Sequence, residues 1–173
     1  LNVGRTVRLF ERAGANAIQL EDQVFPKRCG HFEGKHVIPA EEMVQKIKAA
    51  LEARQHGMLI IARTDARAVE GFSSALERIQ AYREAGADIL FFEAPTSDHE
   101  LAAVPKQVAG VHICNMVFGG KTPLHSRQEL AQMGYAAICY ANAAMQASML
   151  AMQQVMGHLK KHCGLHGAES AVI

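Results

Sequence analysis

The feature that most constrains the fold is a glycine that recurs just ahead of each apolar, strand-like run. The spacings between these glycines are 43, 29, 24 and 24 residues, and the glycines are Gly14, Gly57, Gly86, Gly110 and Gly134. Each run is followed by a segment of helical periodicity, and this alternation is typical of βα units and a parallel sheet. The pattern therefore predicts five βα units.

Periodicity and breaker residues give the approximate bounds of these units. Strands are predicted over 17–20, 58–62, 89–92, 111–114 and 136–140. Helices are predicted over 2–13, 39–56, 73–84, 98–107, 126–133 and 142–161. The tail, 162–173, has no periodicity, so we expect it to fray or to contact a partner.

Each predicted strand ends in a polar residue or is followed directly by polar residues, and these are Glu21 and Asp22, Arg63 and Asp65, Glu93, Asn115 and Tyr140. Ligands of parallel α/β folds bind beyond the carboxyl ends of the strands, so we expect these side chains to form one ring. Loops are polar in general, which would explain one or two of them. The general polarity of loops explains less well why Arg63 follows five apolar residues and Glu93 follows four.

The number of units leaves two architectures open. Five units are too few for a closed (β/α)₈ barrel, which takes about 250 residues, and an open doubly wound sheet is the alternative. A barrel segment would leave two strand edges to be covered by further strands or by a partner. Since residue 1 is Leu and the chain enters directly on a helical pattern, we expect the sequence to be part of a longer one.

Composition excludes several classes of protein. The 173 residues predict one domain, and 49% apolar residues suffice for a sizeable core. The net charge of +1 gives no field to attract nucleic acid or an anionic membrane. No apolar stretch approaches the ~20 residues of a membrane span, and no signal-peptide pattern is present. The four cysteines form no CxxC pair, so we expect free thiols and a cytoplasmic protein.

The loop after the first strand carries the densest group of reactive side chains. Cys29 lies between two cations, Lys27 and Arg28, and an imidazole, His31. Cations of this kind, a protonated His31 included, favour thiolate over thiol and would make Cys29 reactive. The alternative is that Cys29 is a small buried side chain in a basic turn.

The segment EDQVFPKRCGH, followed by EGK, resembles the signature loop of the isocitrate lyase/phosphoenolpyruvate mutase superfamily. The similarity is greatest to its 2-methylisocitrate lyase and 2,3-dimethylmalate lyase branches. Further similar motifs follow in the same order along nearly the whole chain: NVxRTV, ARTDA, FEA, NM and GKTPL. The loop motif is specific, whereas the other motifs are individually weak.

The resemblance implies a (β/α)₈ TIM-type barrel, of which this chain supplies about the fourth to eighth units. Members of the superfamily cleave a C–C bond in a small 2-hydroxy di- or tricarboxylate with Mg²⁺ or Mn²⁺ as Lewis acid. The products are a 2-oxo acid and a carbanion, which a mobile loop cysteine protonates. Members are commonly homotetramers, so we expect the helix over 142–161 at a subunit interface.

The resemblance also implies roles for individual residues. Cys29 is the expected proton donor, and Gly30 and Gly34 let its loop close. His31 is expected to be catalytic and to support the thiol or a carboxylate, and Gly30 is expected to bind substrate. Arg63 would bind a substrate carboxylate, Glu93 would orient the substrate or assist acid–base transfer, and Asn115 would donate hydrogen bonds to a carboxylate. Glu21 would contact the metal in its outer shell through water. For each of these residues the alternative is a salt-bridged or capping side chain.

The sequence departs from the superfamily pattern at two points. The principal metal ligands of the superfamily are aspartates on an early strand, and their position would lie upstream of Leu1. Gln146 stands where methylisocitrate lyases have an arginine that binds a further carboxylate. Because Gln146 carries no charge, we expect a dicarboxylate, such as a substituted malate, in preference to a tricarboxylate.

Two other functions remain open at this stage. One is C–P chemistry, as in phosphonopyruvate-processing enzymes or carboxyphosphonoenolpyruvate mutase, or the hydrolysis of oxaloacetate. The other is a non-catalytic chain that serves only as an assembly surface, which the Ala- and Met-rich helix after Asn142 favours.

Overall fold

The computed structural model describes residues 2–171, and the last two residues of the predicted tail lie outside this range. The chain forms two compact units, one ending at Cys139 and the other beginning at Tyr140. The first unit contains a five-stranded, wholly parallel sheet. Its strands are β1 (Ala17–Glu21), β2 (Leu59–Thr64), β3 (Ile89–Phe92), β4 (Val111–Asn115) and β5 (Tyr135–Cys139).

The strand order is β1-β2-β3-β4-β5, so each crossover moves to the adjacent strand in the same direction. Right-handed crossovers in one direction place all the helices on one face of the sheet. A doubly wound sheet instead reverses its strand order and has helices on both faces. The sequential order therefore excludes the doubly wound alternative and is that of a barrel sector.

The helices of the first unit follow the predicted order with one addition. They are α1 (Asn2–Arg12), α2 (Ala40–Ala53), α3 (Arg67–Glu70), α4 (Phe72–Glu84), α5 (Asp98–Gln107) and α6 (Arg127–Met133). The sequence pattern missed α3, a single turn too short to show periodicity. Ser126, predicted as the first residue of α6, is instead its N-cap and forms a capping box with Glu129.

The predicted second strand was one residue early at its start and two residues short at its end. The reason is that Arg63 and Thr64 continue the ladder and pair with Phe91 and Phe92. Polar side chains at the end of an apolar run look like loop residues in the sequence, but the backbone pairing continues through them. This extension holds Arg63 inside the sheet and leaves its side chain little freedom.

The main core lies between the sheet and the helices. Even-numbered positions of the central strands, such as Ala62 and Leu90, are buried against α2 and α4. The helix residues in this cluster include Met43, Ile47 and Tyr82. Because successive strand residues point to opposite faces, the odd-numbered positions face away from the helices. That second face carries the polar side chains that end β1 to β4.

His112 provides a test of this packing through acid titration. Its side chain is fully buried and its Nε2 lies 2.6 Å from the carbonyl oxygen of Val108. Burial lowers the pKa of His112, although the Val108 carbonyl opposes the shift. Below the ordinary histidine pKa of about 6.5, the unfolded chain thus binds more protons than the folded chain. The free energy of unfolding therefore decreases as the pH is lowered.

We expect urea unfolding of wild-type protein to show this loss of stability as pH falls from 7.5 to 5, approaching about 1.4 kcal/mol per pH unit for each such histidine. His112→Gln, which keeps a side-chain amide donor, should show a shallower dependence. An identical slope in the two proteins would contradict a neutral, buried His112.

The second unit contains the helix α7 (Ala143–His162) and a short 3₁₀ helix (Glu169–Ala171). Asn142 and Cys163, at the two ends of α7, both have left-handed backbone conformations, with φ of 63° and 52°. The 3₁₀ turn lies in the tail for which the sequence predicted no structure. No helix among residues 2–171 has the length and apolar character needed to cross a membrane.

Candidate functional site

Four of the predicted side chains lie together at the carboxyl ends of β1 to β4. Glu21 pairs in register with Arg63, and Arg63 Nε lies 3.4 Å from Glu21 Oε2. Glu93 Oε1 lies 3.5 Å from Arg63 Nη2 and accepts a long hydrogen bond, also 3.5 Å, from Asn115 Nδ2. Tyr140 was predicted in the same ring, but it belongs to the second unit, and its place there stays a prediction.

Arg63 is held by a carboxylate of its own strand end. Its Nε and Nη2 donate to the two oxygens of Asp65 at 2.8 and 3.0 Å, and its guanidinium lies 5.2 Å from the ring centre of Phe91. Burial raises the pKa of Asp65, but the hydrogen bonds and charge of Arg63 outweigh it, so the pKa is lowered overall. Arg63 is thus a fixed cation whose planar fork is already oriented.

Glu93 is a carboxylate in a dry environment. Only 2% of the residue is exposed, and this burial raises the pKa of Glu93, while the nearby Arg63 charge acts in the opposite direction. Its Oε2 has no hydrogen-bond partner, and neither has Oδ1 of Asn115. Unpaired buried polar atoms cost free energy, so a ligand or an ordered water that supplied the missing hydrogen bonds would be bound favourably at this place.

His31 reaches the same carboxylate from the loop. Its Nε2 lies 3.4 Å from Glu93 Oε1 without forming a hydrogen bond, and its Nδ1 accepts from the backbone N–H of Lys121 at 2.9 Å. Burial lowers the pKa of His31, and the charges of Lys35 and Arg63 lower it further. This lowered pKa disfavours the His31 cation that was considered beside Cys29.

The loop over 23–37 packs directly onto this group. A Cβ added to Gly30 would lie 2.1 Å from Glu93 Oε1 and 2.6 Å from Arg63 Nη2. The buried Lys35 donates to the carbonyl oxygen of Gly30 and to Asp65 Oδ1, the latter at 3.2 Å. Lys35 thus ties the loop to the strand ends, a role that its position in the EGK motif did not reveal.

Cys29 precedes the buried Gly30 and is itself exposed. Its carbonyl oxygen accepts from the N–H of Phe32, which closes a tight turn. Of the two flanking cations, Lys27 lies 3.4 Å from Glu21 and Arg28 donates to the carbonyl oxygen of Glu33. The alternative of a buried cysteine is therefore wrong, whereas the role of proton donor stays a prediction.

Asp22 follows β1 but belongs to the helix side of the sheet. Its carboxylate accepts from Thr64 Oγ1 (2.7 Å), from the N–H of Asp65 (2.8 Å) and from the hydroxyl of Tyr82 (2.8 Å). Burial raises the pKa of Asp22, which these hydrogen bonds and Arg78 oppose. Asp22 thus holds the backbone of Asp65 and is a support of the site, not part of its surface.

The described residues contain no complete set of metal ligands. No group of three or more His, Cys, Asp or Glu side chains within residues 2–171 could hold a metal ion. Glu21, the predicted outer-shell residue, lies between Lys27 and Arg63, each 3.4 Å away, and these two cations disfavour a further positive charge there. The residues present do not fit a metal site by themselves, and the outer-shell role of Glu21 stays a prediction.

Comparison with known proteins assigns this arrangement to a class. The family model for phosphoenolpyruvate phosphomutase matches residues 1–160. The chain is 47% identical over 161 residues to 2,3-dimethylmalate lyase of Eubacterium barkeri, covering 92% of this chain and 56% of that protein. It is 49% identical over 156 residues to 2-methylisocitrate lyase of Aeropyrum pernix, covering 90% and 50%.

Solved structures agree with the sequence comparison. A crystal structure of 2,3-dimethylmalate lyase matches with a TM-score of 0.88 and 37% identity over 94% of this chain and 55% of that one. Oxaloacetate acetylhydrolase with 3,3-difluorooxalacetate matches with a TM-score of 0.91 and 31% identity over 99% and 59%. Phosphonopyruvate hydrolase with oxalate and Mg²⁺ matches with a TM-score of 0.79 and 30% identity over 99% and 60%.

The chain belongs to the phosphoenolpyruvate mutase/isocitrate lyase superfamily. It spans about half the length of the curated relatives it matches. The predicted fold class is confirmed: a parallel α/β sheet whose structural neighbours are barrel-type lyases.

Proposed function

We propose that this protein is a carbon–carbon lyase that cleaves a small 2-hydroxy di- or tricarboxylate into a 2-oxo acid and a second carboxylate. The observation that carries the proposal is the group of unpaired buried polar atoms around Glu93. Glu93 Oε2, His31 Nε2 and Asn115 Oδ1 have no partner, and Arg63 lies beside them. The hydroxyl group of a hydroxy acid would donate to Glu93 Oε2 or Asn115 Oδ1, and a carboxylate of the same molecule would accept from His31 Nε2 and pair with Arg63.

The reaction requires two proton movements. The 2-hydroxyl group loses its proton as the C–C bond breaks, and the carbon that keeps the bonding electrons gains a proton. We assign the second proton to the Cys29 thiol, because the exposed Cys29 adjoins the loop residue that packs on Glu93. Glu93 orients the substrate and accepts the proton that leaves the 2-hydroxyl group, since burial raises the pKa of this carboxyl group and makes its carboxylate a stronger base.

Arg63 binds a substrate carboxylate in this proposal. Its Nε and Nη2 are engaged by Asp65, so a substrate would meet a guanidinium whose plane is already set. A preorganised cation needs little rearrangement when a carboxylate arrives. Asn115 adds a neutral amide beside it, which favours one orientation of the substrate.

The predicted substrate is a dicarboxylate of the 2,3-dimethylmalate type. Gln146 has an uncharged side chain, which disfavours a third carboxylate relative to the arginine expected there. The test is a parallel assay of 2,3-dimethylmalate, 2-methylisocitrate, oxaloacetate and phosphonopyruvate with the protein. We expect the highest kcat/KM with 2,3-dimethylmalate, and a preference for phosphonopyruvate would contradict the proposal.

Hydrolysis of oxaloacetate is the second candidate, because the oxaloacetate acetylhydrolase structure has a TM-score of 0.91 to this chain. C–P chemistry is a weaker candidate, supported by phosphonopyruvate hydrolase at a TM-score of 0.79. The parallel assay separates all three by the product released. If no substrate reacts, the remaining hypothesis is a non-catalytic chain that serves as an assembly surface, which the Ala- and Met-rich α7 favours.

Dependence on Mg²⁺ or Mn²⁺ forms part of the proposal, and the Mg²⁺ complex of phosphonopyruvate hydrolase supports it. The ion would stabilise negative charge on substrate oxygens. The described residues supply no complete ligand set, so we assign it no step. A homotetramer, a small-molecule substrate without nucleic acid or membrane partners, and a cytoplasmic location complete the proposal.

Replacement of the loop thiol tests the assigned proton donor. We expect Cys29→Ser to lower kcat by a factor of about 10² to 10⁴, because an alcohol is a far weaker acid than a thiol. The exposed position of Cys29 predicts an unchanged free energy of unfolding. Cys163→Ser, at another exposed cysteine, serves as the matched control and should keep wild-type activity. Equal rates in the two variants would exclude the role.

A further inference from the structure

We propose that Lys121 is a positioning residue that acts through its backbone N–H, fixing His31 as the tautomer that carries its proton on Nε2. Lys121 lies in the connection between β4 and α6, 90 residues from His31 in sequence. None of the roles implied by the signature loop includes this connection. The inference deepens the proposed function, because the atom it orients faces Glu93.

The geometry determines which nitrogen carries the proton. The N–H of Lys121 donates to Nδ1 of His31 at 2.9 Å, so Nδ1 must present a lone pair. In a neutral ring the proton is then on Nε2, the atom 3.4 Å from Glu93 Oε1. The backbone N–H group of Lys121 cannot act as an acceptor. The opposite tautomer, with its proton on Nδ1, would therefore place two N–H groups against each other.

The approach of the two loops is close enough to be specific. A Cβ added to Gly120 would lie 2.9 Å from Nδ1 and 3.0 Å from Cε1 of His31, and 3.0 Å from the carbonyl oxygen of Val117. Only a residue without a side chain allows the following amide to reach the ring. Gly120 is therefore required for the hydrogen bond between the Lys121 N–H and His31.

The side chain of Lys121 makes a separate contact with the loop. Its ammonium group pairs with the carboxylate of Glu33, and 83% of the Glu33 side chain is exposed. Exposed ion pairs contribute little to stability. The two contacts of Lys121 can therefore be separated by mutation: Lys121→Ala removes the ion pair and keeps the amide, whereas Lys121→Pro removes the amide as well.

The tautomer of His31 can be read directly by ¹⁵N NMR of histidine-labelled protein, with His31→Gln used to assign the resonances. We expect a pyridine-like Nδ1 and a protonated Nε2 in wild type and in Lys121→Ala. In Lys121→Pro both nitrogens should move toward the values of mixed tautomers. A proton on Nδ1 in wild type, or an unchanged spectrum in Lys121→Pro, would overturn the proposal.

Gly120→Ala provides the same test without a proline, because its Cβ would displace the ring from the amide. We expect its spectrum to shift as in Lys121→Pro, and a wild-type spectrum would count against the proposal. On the substrate that the protein cleaves, we expect kcat/KM to fall about tenfold in Lys121→Pro and Gly120→Ala but to stay within about twofold in Lys121→Ala. The kinetic measurement rests on the proposed function, whereas the NMR spectra need no substrate. The positioning role of Lys121 and the proposed function can therefore fail separately.

Discussion

Gly30→Ala is expected to lower kcat/KM at least a hundredfold. The added Cβ would lie 2.1 Å from Glu93 Oε1 and 2.5 Å from Glu93 Cγ, which is too close for a non-bonded contact of a Cβ atom. Either the loop lifts or Glu93 moves, and a displacement of about 1 Å at a reacting group can cost a factor of 10². The added Cβ would also lie 2.6 Å from Arg63 Nη2, so the guanidinium group of Arg63 would be displaced as well.

The control for this variant is Gly157→Ala, whose added Cβ meets no atom within 4 Å. Gly157 lies inside α7, so alanine should keep activity and improve the helix slightly. Steady-state kinetics on both variants, with urea unfolding to separate stability from activity, give the comparison. Comparable activity in the two alanine variants would show that Gly30 does not pack on Glu93 in the working protein.

Asp22→Ala should cause the largest loss of stability, about 3–5 kcal/mol in the free energy of unfolding, because three buried donors lose their acceptor. The change removes the acceptor for Thr64, Tyr82 and the Asp65 N–H, whereas Arg78, 3.6 Å away, keeps its ion pair with Glu70. Each buried donor left unpaired carries its own desolvation cost. Activity should fall too, since Asp65 then loses the contact that fixes its backbone.

Asp98→Ala is the matched control for Asp22→Ala. The Asp98 side chain is 71% exposed and pairs with His125 at 2.8 Å, so its removal should cost less than about 1 kcal/mol. Urea unfolding monitored by circular dichroism gives both values. A loss at Asp22 no larger than that at Asp98 would show that the buried network does not support the strand ends.

The contrast between Glu21 and Asp22 shows what the sequence could predict. Both carboxylates were expected in one polar ring, but adjacent residues leaving a strand point to opposite faces. Counting from the apolar, partly buried Ile18 and Leu20 of β1 would have placed Glu21 with Arg63 and Asp22 with Thr64 on the helix side. Period-two alternation was thus available as a signal, and the two roles could have been separated in advance.

Contacts between distant loops were beyond the reach of sequence patterns. In the sequence, Lys35 and Lys121 are ordinary charged loop residues. Their roles appear only in the folded chain, where Lys35 contacts Asp65 and Lys121 contacts His31. The lowered pKa of His31 has the same origin, because burial and the surrounding charges are set by tertiary packing. The parallel βα order, in contrast, followed from local glycine spacing and apolar runs.

The most direct test of the central claim is the reaction of 2,3-dimethylmalate with the protein in D₂O, followed by NMR. We predict pyruvate together with propionate that carries one deuterium at C2, where the carbanion is protonated. Glu93→Gln should form neither product at a comparable rate. Failure of the wild-type protein to release pyruvate from 2,3-dimethylmalate, with or without added Mg²⁺, would contradict the assignment of this site to cleavage of a carbon–carbon bond.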